Sequence, residues 1–151
     1  MPVNQKPDGF IWPLRVYHED TDGGGIVYYA NYLKFMERAR TEQLRHLGFE
    51  QDELKESHQS LFVVKRVEID YVKPAIFNDQ LEVTCRVQST RRASFQVEQI
   101  VSRQNRSLPA GQLPEVLASG IVTLACLHAD TLAARRIPEK ILCALQSCNT
   151  G

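Results

Sequence analysis

The residues best suited to chemistry lie near the start of the chain, in the stretch HEDTDGGGIVYYANY that runs from His18 to Tyr32. This stretch contains three carboxylates followed by three consecutive glycines, which are Glu19, Asp20, Asp22 and Gly23 to Gly25. Glycine tolerates positive φ and lets the backbone approach a ligand closely. A long helical pattern follows, and the start of a helix presents unpaired N–H groups and the positive end of its dipole. A carboxylate held beside such donors can act on a carbonyl group that the donors polarise.

A strand before this stretch and a helix after it must position these residues. Apolar alternation predicts a strand over residues 10–19, with Leu14, Val16 and His18 on its inward face. Pro13 within that strand favours a position at the edge of a sheet. The spacing of the next apolar residues predicts a helix over residues 27–48, with Gly48 just past its end.

The predicted helix has an apolar arc wider than a surface helix needs, since it covers about half the circumference. Such a helix requires a sheet curled around it, and we expect Phe35 and Met36 to lie in the core. Arg40 falls inside the apolar arc. We therefore expect Arg40 to pair with Glu37 or with an acidic residue of the first loop.

The rest of the chain reads as strands joined by short connections. Strands are predicted over residues 61–72, 80–90, 94–104 and 115–128, the last of them buried on both faces and central in its sheet. Residues 49–60 form a polar connection, 105–114 an extended loop and 138–145 a short C-terminal helix. Consecutive strands imply an antiparallel meander. The predicted fold is α+β, with one long helix wrapped by a curved five-stranded antiparallel sheet, and with one sheet edge used for self-association.

Length and charge exclude several classes of protein. The 151 residues predict a single domain over 1–151, with a loose segment at residues 1–9. The 18 basic and 18 acidic side chains balance, which argues against nucleic acid or an anionic membrane as a partner. The first residues lack a signal-peptide pattern, and no apolar run is long enough to span a bilayer. We therefore expect a cytoplasmic protein without membrane insertion.

The four cysteines form no C-x-x-C pair, and no histidine stands at metal-ligand spacing beside them. Cys85 and Cys126 lie in strand patterns, so we expect small core residues with reduced thiols. The sequence therefore predicts no metal site.

The segment RVYHEDTDGGGIVYYANYLKFMERARTEQLR, residues 15–45, resembles the signature of the hot-dog-fold thioesterases of the 4-hydroxybenzoyl-CoA thioesterase family. Within that family it is most similar to the acyl-CoA thioesterases associated with the bacterial Tol–Pal genes. The resemblance continues through DYVKPAIFNDQLEV, residues 70–83, and the RIP before the last helix. It implies a helix wrapped in an antiparallel sheet, and dimers joined edge to edge that usually pair into tetramers. It also implies hydrolysis of acyl-CoA thioesters at a site shared between subunits.

The resemblance gives roles to residues of the acidic loop. It makes Asp22 the catalytic carboxylate, acting either as a nucleophile or as a general base on water. It makes the backbone N–H of Tyr29 the group that polarises the thioester carbonyl. The chain departs from the family pattern at two positions, since a Tyr is common where His18 stands and a His is common where Ala30 stands. We expect His18 to be a core or loop histidine or, if it lies near Asp22, an assisting group.

The other carboxylates near the motif are expected to be structural. Glu19 and Asp20 would fix the loop or pair with Arg40. Glu37 lies on the helix, and a different branch of hot-dog thioesterases uses a helix glutamate. We expect Glu37 instead to be solvated or paired with an arginine.

Binding of coenzyme A requires basic side chains, because its nucleotide carries phosphates. The candidates are two arginine pairs, Arg91 and Arg92 at a predicted hairpin turn and Arg135 and Arg136 near the C-terminus. Gly25 and Val27 are expected to contact the substrate along the loop.

The sequence therefore predicts an acyl-CoA thioesterase for short-chain or aromatic acyl groups, carried by CoA or by an acyl-carrier protein, with no cofactor. The predicted assembly is a homodimer or a homotetramer. One alternative is a hot-dog dehydratase, although the chain lacks a His-Phe-Pro-type loop. Another is a non-catalytic scaffold that binds acyl-CoA or a carrier protein near the cell envelope.

Overall fold

The computed structural model describes residues 9–104 and 114–149. Its strands are β1 (Phe10–Arg15), β2 (Ser60–Tyr71), β3 (Gln80–Thr90), β4 (Ser94–Arg103) and β5 (Glu115–His128), and its α-helices are α1 (Asn31–His46), α2 (Gln51–Ser57) and α3 (Glu139–Asn149). A short 3-10 helix, His18–Asp20, follows β1, which is therefore shorter than predicted. The last four strands are confirmed to within one residue at each end. Most of the expected loose segment at 1–9 and of the expected loop at 105–114 lies outside the described residues.

All five strands form one antiparallel sheet in the order β1-β3-β4-β5-β2. The edge position expected from Pro13 is confirmed, because β1 pairs with β3 alone. The predicted meander is wrong for β2, which pairs with β5 rather than with its neighbour in sequence. Strand β5 lies between β4 and the edge strand β2, so the prediction that it is the central strand is wrong. Its outward-facing side chains are half-buried, so the prediction that both its faces are buried is also wrong.

The core lies between the sheet and the helices. Helix α1 packs against β1 and β3, α2 against β2, and α3 against β3. Phe35, Met36 and Ala39 of α1 are almost completely buried, which confirms the core face expected from helical spacing. Burial of these apolar side chains is the main favourable contribution to folding.

Helix α1 begins at Asn31, four residues later than the apolar spacing predicts. The reason is that the backbone before it pairs with other segments. Val27 N–H donates to the carbonyl of Ala75 at 2.9 Å, and Tyr28 N–H donates to the carbonyl of Asp20 at 3.0 Å. Periodicity alone cannot detect such pairing, because the side chains keep their helical spacing while the backbone belongs to a loop.

The C-terminal end of α1 confirms the prediction for Gly48. This glycine has φ of +98°. The N–H of the next residue, Phe49, donates to the carbonyl of Leu44 at 2.8 Å. This is the hydrogen bond of a Schellman motif, which requires a residue with positive φ just past the helix.

Helix α2 lies within the segment 49–60 that was expected to be a polar connection. Leu54 is its one buried residue, so the segment has no apolar repeat from which a helix could be predicted. Helix α3 ends at Asn149, four residues later than expected. None of the described helices is long and apolar enough to cross a membrane.

The described cysteines are all free. Cys85 and Cys126 are buried in the core, as expected, whereas Cys143 is exposed. Burial raises the pKa of the Cys85 thiol to about 12. That thiol therefore stays protonated at neutral pH and acts as a small core side chain.

The close approach of β5 to the edge strand β2 gives a test of the packing. A Cβ at Gly120 would lie 2.7 Å from the carbonyl oxygen of Glu68 and 3.3 Å from the Cβ of Ile69. Because β2 cannot retreat without straining its ladder with β5, Gly120→Ala should lower the free energy of unfolding by about 1–3 kcal/mol. Urea denaturation measures this difference, and Ser119→Ala, which removes only a hydroxyl, should stay within about 0.5 kcal/mol. An unchanged midpoint for the glycine variant would contradict the close approach.

Candidate active site

The acidic stretch forms a tight hairpin-like loop between β1 and α1. Thr21 and Val27 form an isolated antiparallel bridge. Inside it, Asp22 N–H donates to the carbonyl of Ile26 at 2.8 Å. Gly25 has φ of +83°, a backbone conformation that side chains disfavour. A glycine is therefore favoured at position 25, where the chain reverses after Asp22.

A second segment, the connection between β2 and β3, supports this loop. Ile26 forms an isolated bridge with Ile76. The buried Tyr32 of α1 accepts a hydrogen bond on its hydroxyl from the Ala75 N–H at 3.0 Å. Together with the bond from Val27 to the Ala75 carbonyl, these contacts hold the loop against the start of α1.

Asp20 has the loop-fixing contacts expected from the sequence. Its Oδ2 accepts the Tyr17 N–H at 2.9 Å, and its carbonyl accepts the side-chain amide of Asn31 at 2.7 Å. Glu19 is exposed, and neither carboxylate forms an ion pair with Arg40. Within residues 9–104 and 114–149, no three His, Cys, Asp or Glu side chains converge as they would around a metal ion.

Asp22 lies at the tip of the loop, with its carboxylate exposed in the single chain. Its Oδ1 accepts the Gly24 N–H at 2.7 Å. This local bond orients the carboxylate and leaves Oδ2 without a hydrogen bond to any described residue. An oriented carboxylate with a free oxygen can attack an electrophile or accept a proton from water.

Tyr29 follows the loop and precedes the first residue of α1 by two positions. Its carbonyl accepts the hydroxyl of Tyr71 at 3.1 Å. Its N–H has no acceptor among the described residues, although the N–H groups of Val27, Tyr28 and Asn31 all do. An exposed and unpaired N–H at the start of a helix is the kind of donor that binds a developing oxyanion.

An exposed apolar surface surrounds the loop. We call it the aromatic surface, and it comprises Tyr28, Tyr29, Tyr71, Ile26 and Ile76. The rings of Tyr28 and Tyr29 lie 4.9 Å apart, and those of Tyr29 and Tyr71 lie 6.2 Å apart. The Tyr29 side chain is 62% exposed. Contiguous apolar surface of this kind marks a site of interaction.

His18 is exposed, so the prediction that it faces inward is wrong. The chain leaves the sheet after Arg15, and the 3-10 turn from His18 to Asp20 carries the imidazole to the surface. There the ring stacks on Phe77, with 3.7 Å between ring centroids and 11° between ring planes. No hydrogen bond joins His18 to Asp22 among the described residues.

The predicted phosphate-binding arginines lie in different settings. Arg135 donates through Nη1 to the backbone carbonyls of His58 and Gln59, at 2.5 and 3.0 Å, and so ties the residues just before β2 to the segment that follows β5. Arg92 and Arg136 are exposed.

Arg91 instead lines a cavity of about 250 Å³ on the outer face of the sheet, together with Lys65 and Arg66 of β2. We call these three residues the basic cluster. Lys65 and Arg66 were missed by sequence reasoning, because nothing local indicates that β2 comes to lie near the turn between β3 and β4. A register shift between Val64 and Arg66 marks the position in β2.

Arg40 does not pair with Glu37 or with the acidic loop, so that prediction is wrong. Its Nη1 donates to Oε1 of the buried Gln99 at 2.9 Å. Burial lowers the pKa of the Arg40 guanidinium, and the electrostatic interactions with Cys85 and Glu37 offset this only in part. Glu37 itself is exposed and forms no ion pair among the described residues.

Comparison with known proteins places this geometry in a family. Residues 24–110 match the model of the Thioesterase superfamily. The acyl-CoA thioesterase YbgC of Haemophilus influenzae is 39% identical over 137 residues, which cover 91% of this chain and 94% of that protein.

Two solved structures are also similar. A probable thioesterase from Bartonella henselae has a TM-score of 0.74 at 32% identity, covering 85% of this chain and 98% of that one. A 1,4-dihydroxy-2-naphthoyl-CoA thioesterase from Synechocystis has a TM-score of 0.79 at 20% identity, covering 91% of this chain and 95% of that one, and supports the fold alone. Both similarities extend over more than four-fifths of this chain. The chain belongs to the Thioesterase superfamily, and its fold is the hot-dog fold.

Proposed function

We propose that the protein hydrolyses acyl-CoA thioesters at the loop between β1 and α1, with Asp22 as the catalytic carboxylate. The observation that carries the proposal is the presence on one short loop of a carboxylate with a free oxygen and of the unpaired N–H of Tyr29. Membership of the Thioesterase superfamily supplies the reaction class. The acyl-CoA substrate is in keeping with the relatives described above.

The Tyr29 N–H would act on the thioester oxygen, which gains negative charge as the carbonyl carbon is attacked. Its direction is set by the peptide plane that it shares with the Tyr28 carbonyl, which accepts the Asn31 N–H at 2.8 Å, and by the loop pairing at Tyr28. Such a preorganised donor typically contributes about a hundredfold to a thousandfold in rate.

Asp22 would then act by one of two routes. In the first, an Asp22 oxygen bonds to the acyl carbon, the C–S bond breaks and the CoA thiolate leaves, after which water cleaves the mixed anhydride. In the second, Asp22 takes a proton from water as the water oxygen attacks, and that proton passes to the departing thiolate. Both routes consume one water and release CoA and a free acid.

A second candidate function is binding without turnover, and a third is dehydration of a hydroxyacyl thioester. Dehydration requires a base placed inside a pocket. The described histidine nearest the loop in sequence, His18, instead stacks on Phe77 at the surface. We therefore favour hydrolysis.

The carboxylate gives a direct test. Asp22→Asn keeps the shape of the side chain and its acceptor for the Gly24 N–H, but removes the nucleophile or base. We expect kcat for release of CoA from acyl-CoA to fall at least a hundredfold, roughly the contribution of a positioned general base. The same change at the exposed neighbour, Glu19→Gln, should leave kcat within about threefold. Unchanged turnover in the Asp22 variant would remove the assignment, and binding without turnover in the unaltered protein would favour the scaffold.

We further propose that the protein is a homodimer whose partner covers the aromatic surface. The edge strand β2 leaves one side of its backbone unpaired, and the aromatic surface adjoins it at Tyr71. Burial of both would satisfy the edge and exclude water from Asp22. Pairing of two dimers into a homotetramer stays a prediction from the family resemblance.

Assembly is tested at Ile76, which belongs to the aromatic surface but not to the chemistry. Light scattering on the unaltered protein should give a multiple of the 17.2 kDa chain mass. Ile76→Asp would bury an unpaired charge in the interface and should shift the protein toward the single chain. Leu132 is similarly exposed at a turn far along the chain, so Leu132→Asp is the matched control. A monomeric unaltered protein, or an assembly indifferent to the Ile76 change, would contradict the proposal.

We also propose that the basic cluster binds the phosphates of CoA. Its three cations surround one cavity with the hydroxyls of Ser89, Ser94 and Thr123, a combination suited to phosphate oxygens. Arg92 and Arg136 stay candidates as predicted from the sequence. Arg135 instead donates hydrogen bonds to two backbone carbonyls.

The basic cluster is tested by substrates that differ only in their phosphates. Lys65→Gln combined with Arg66→Gln and Arg91→Gln should raise KM for acyl-CoA about tenfold or more, since several charge-assisted contacts are lost. KM for the acyl ester of N-acetylcysteamine, which has no phosphate, should not change. Lys140→Gln, at an exposed position of α3, controls for overall charge. An equal increase in KM for both substrates would show that the cluster does not bind the phosphates.

We also propose that the protein acts in the cytoplasm. The free cysteines fit a reducing cytoplasm. The association with the Tol–Pal genes, the use of an acyl-carrier protein and the contacts of Gly25 and Val27 with substrate stay predictions from the sequence.

A further inference from the structure

A second cavity, of about 330 Å³, lies between α1, the strands β2, β4 and β5, and helix α3. Its volume is at the lower end of the range for small-molecule sites. About half of its wall is apolar, formed by side chains such as Leu44, Phe62, Phe95 and Leu124, and the polar part includes Thr41, Gln43 and Gln51. The rings of Phe62 and Phe95 meet edge to face, 5.3 Å apart. Two charged groups, Arg40 and Glu37, also line it.

Arg40 is the anomalous residue of this cavity. A guanidinium has five N–H donors, and a buried one normally has a carboxylate partner. Arg40 forms no ion pair among the described residues, and its recorded acceptor is the amide oxygen of Gln99. None of the buried side-chain nitrogens and oxygens in the described ranges lacks a partner, so the Arg40 nitrogens that have no acceptor are accessible, and Arg40 lines the cavity.

Gln99 fixes the direction in which Arg40 points. Its side chain is completely buried, and its amide nitrogen donates to the carbonyl of Met36 at 3.0 Å and contacts the sulfur of Cys85 at 3.0 Å. Both the oxygen and the nitrogen of the amide are therefore engaged. The orientation of Arg40 toward the cavity is thus preorganised rather than adaptable.

One side of α1 connects the cavity with the catalytic loop. Ala30, Leu33, Glu37, Arg40 and Leu44 follow one another at helical spacings of three and four residues, so they share a face. Leu33 is exposed on this face. At the helical rise per residue, Arg40 lies about 14 Å along the axis from Asn31, the first residue of α1 and two residues after Tyr29. An extended acyl chain whose carbonyl sits at the Tyr29 N–H can therefore reach Arg40 only if it is of medium length.

We infer that this cavity receives the far end of the acyl group and that Arg40 binds a hydroxyl oxygen there. The preferred substrates are then medium-chain acyl-CoA thioesters hydroxylated near the end of the chain. This inference rests on the hydrolysis proposed above. An uncharged group fits because Arg40 and Glu37 line the same cavity with opposite charges. A hydroxyl can accept from Arg40 and donate to Glu37, whereas a carboxylate would be repelled by Glu37.

The first experiment compares three acyl-CoA substrates of equal chain length with the unaltered protein. They are decanoyl-CoA, ω-hydroxydecanoyl-CoA and the thioester with an ω-carboxylate. We expect kcat/KM for the hydroxylated substrate to exceed that for decanoyl-CoA at least about tenfold, as a hydrogen bond to a charged group allows. Equal values for these two would overturn the inference, and so would a preference for the carboxylate.

The second experiment separates recognition of the hydroxyl from a structural role of Arg40. Arg40→Met keeps the length of the side chain and removes its donors. It should bring the ratio of kcat/KM between the hydroxylated and plain substrates close to one, mainly through KM of the hydroxylated substrate. Arg40→Lys, which restores a charge and a donor, should recover part of the ratio. Arg38→Met, at an exposed position of the same helix, is the matched control and should leave the ratio unchanged.

The outcomes also distinguish this inference from the proposed function. If Arg40→Met lowers kcat/KM equally for both substrates, Arg40 is structural and the inference fails while hydrolysis stands. If Asp22→Asn leaves turnover unchanged for all substrates, the proposed catalytic role fails, whatever the ratio between them.

Discussion

The backbone pairing that closes the loop between Thr21 and Val27 is the interaction on which the candidate site depends. It uses the N–H groups of Asp22 and Tyr28, and the bond from Val27 to Ala75 ties the loop to a second segment. With these donors satisfied, Tyr29 N–H is left as a free donor next to a loop whose shape is fixed. An oriented carboxylate and a free amide on one rigid loop need little reorganisation during a reaction, and catalysis by hydrogen bonding requires this.

Strand β2 links this loop to the other functional features of the molecule. Its last residue, Tyr71, donates to the carbonyl of Tyr29, and its open edge runs beside the aromatic surface. In the middle of the strand, the register shift lies at Lys65 and Arg66 of the basic cluster. Catalysis, assembly and recognition of the CoA phosphates would therefore converge on one strand. An edge strand suits this role, because its unpaired side can accept a second chain without any change inside the sheet.

The two charged groups that matter most lie in opposite environments. Asp22 is exposed and held by a single local bond, so its reactivity depends on what comes to cover it. Arg40 is partly buried, and burial lowers the pKa of its guanidinium because partial removal from water disfavours the charged form. A neutral side chain would pack at that position without this loss of hydration free energy. The fold therefore retains at Arg40 a donor for which the carboxylates of residues 9–104 and 114–149 supply no partner.

Local patterns in the sequence determined a large part of this protein. Alternation placed β2, β3 and β4 to within a residue, and a run of apolar and small residues placed β5 equally well. The apolar spacing of α1 identified Phe35 and Met36 as core. Gly48 was recognisable because a helix end that needs positive φ selects glycine. The motif around Asp22 was recognisable for a similar reason, since its residue types are required within a few positions of one another. Such features depend on neighbours in sequence, and so the sequence alone suffices to predict them.

Only the tertiary structure decided the features that depend on residues far apart in the chain. They include the pairing of β2 with β5, the start of α1 at Asn31, the exposure of His18, the meeting of Lys65 and Arg66 with Arg91, and the bond from Arg40 to Gln99. Periodicity reports which face of an element is apolar, but it carries no information about which strand pairs with which or which side chain will meet a buried charge. Those outcomes are set by the way in which the whole sheet and its helices share one core.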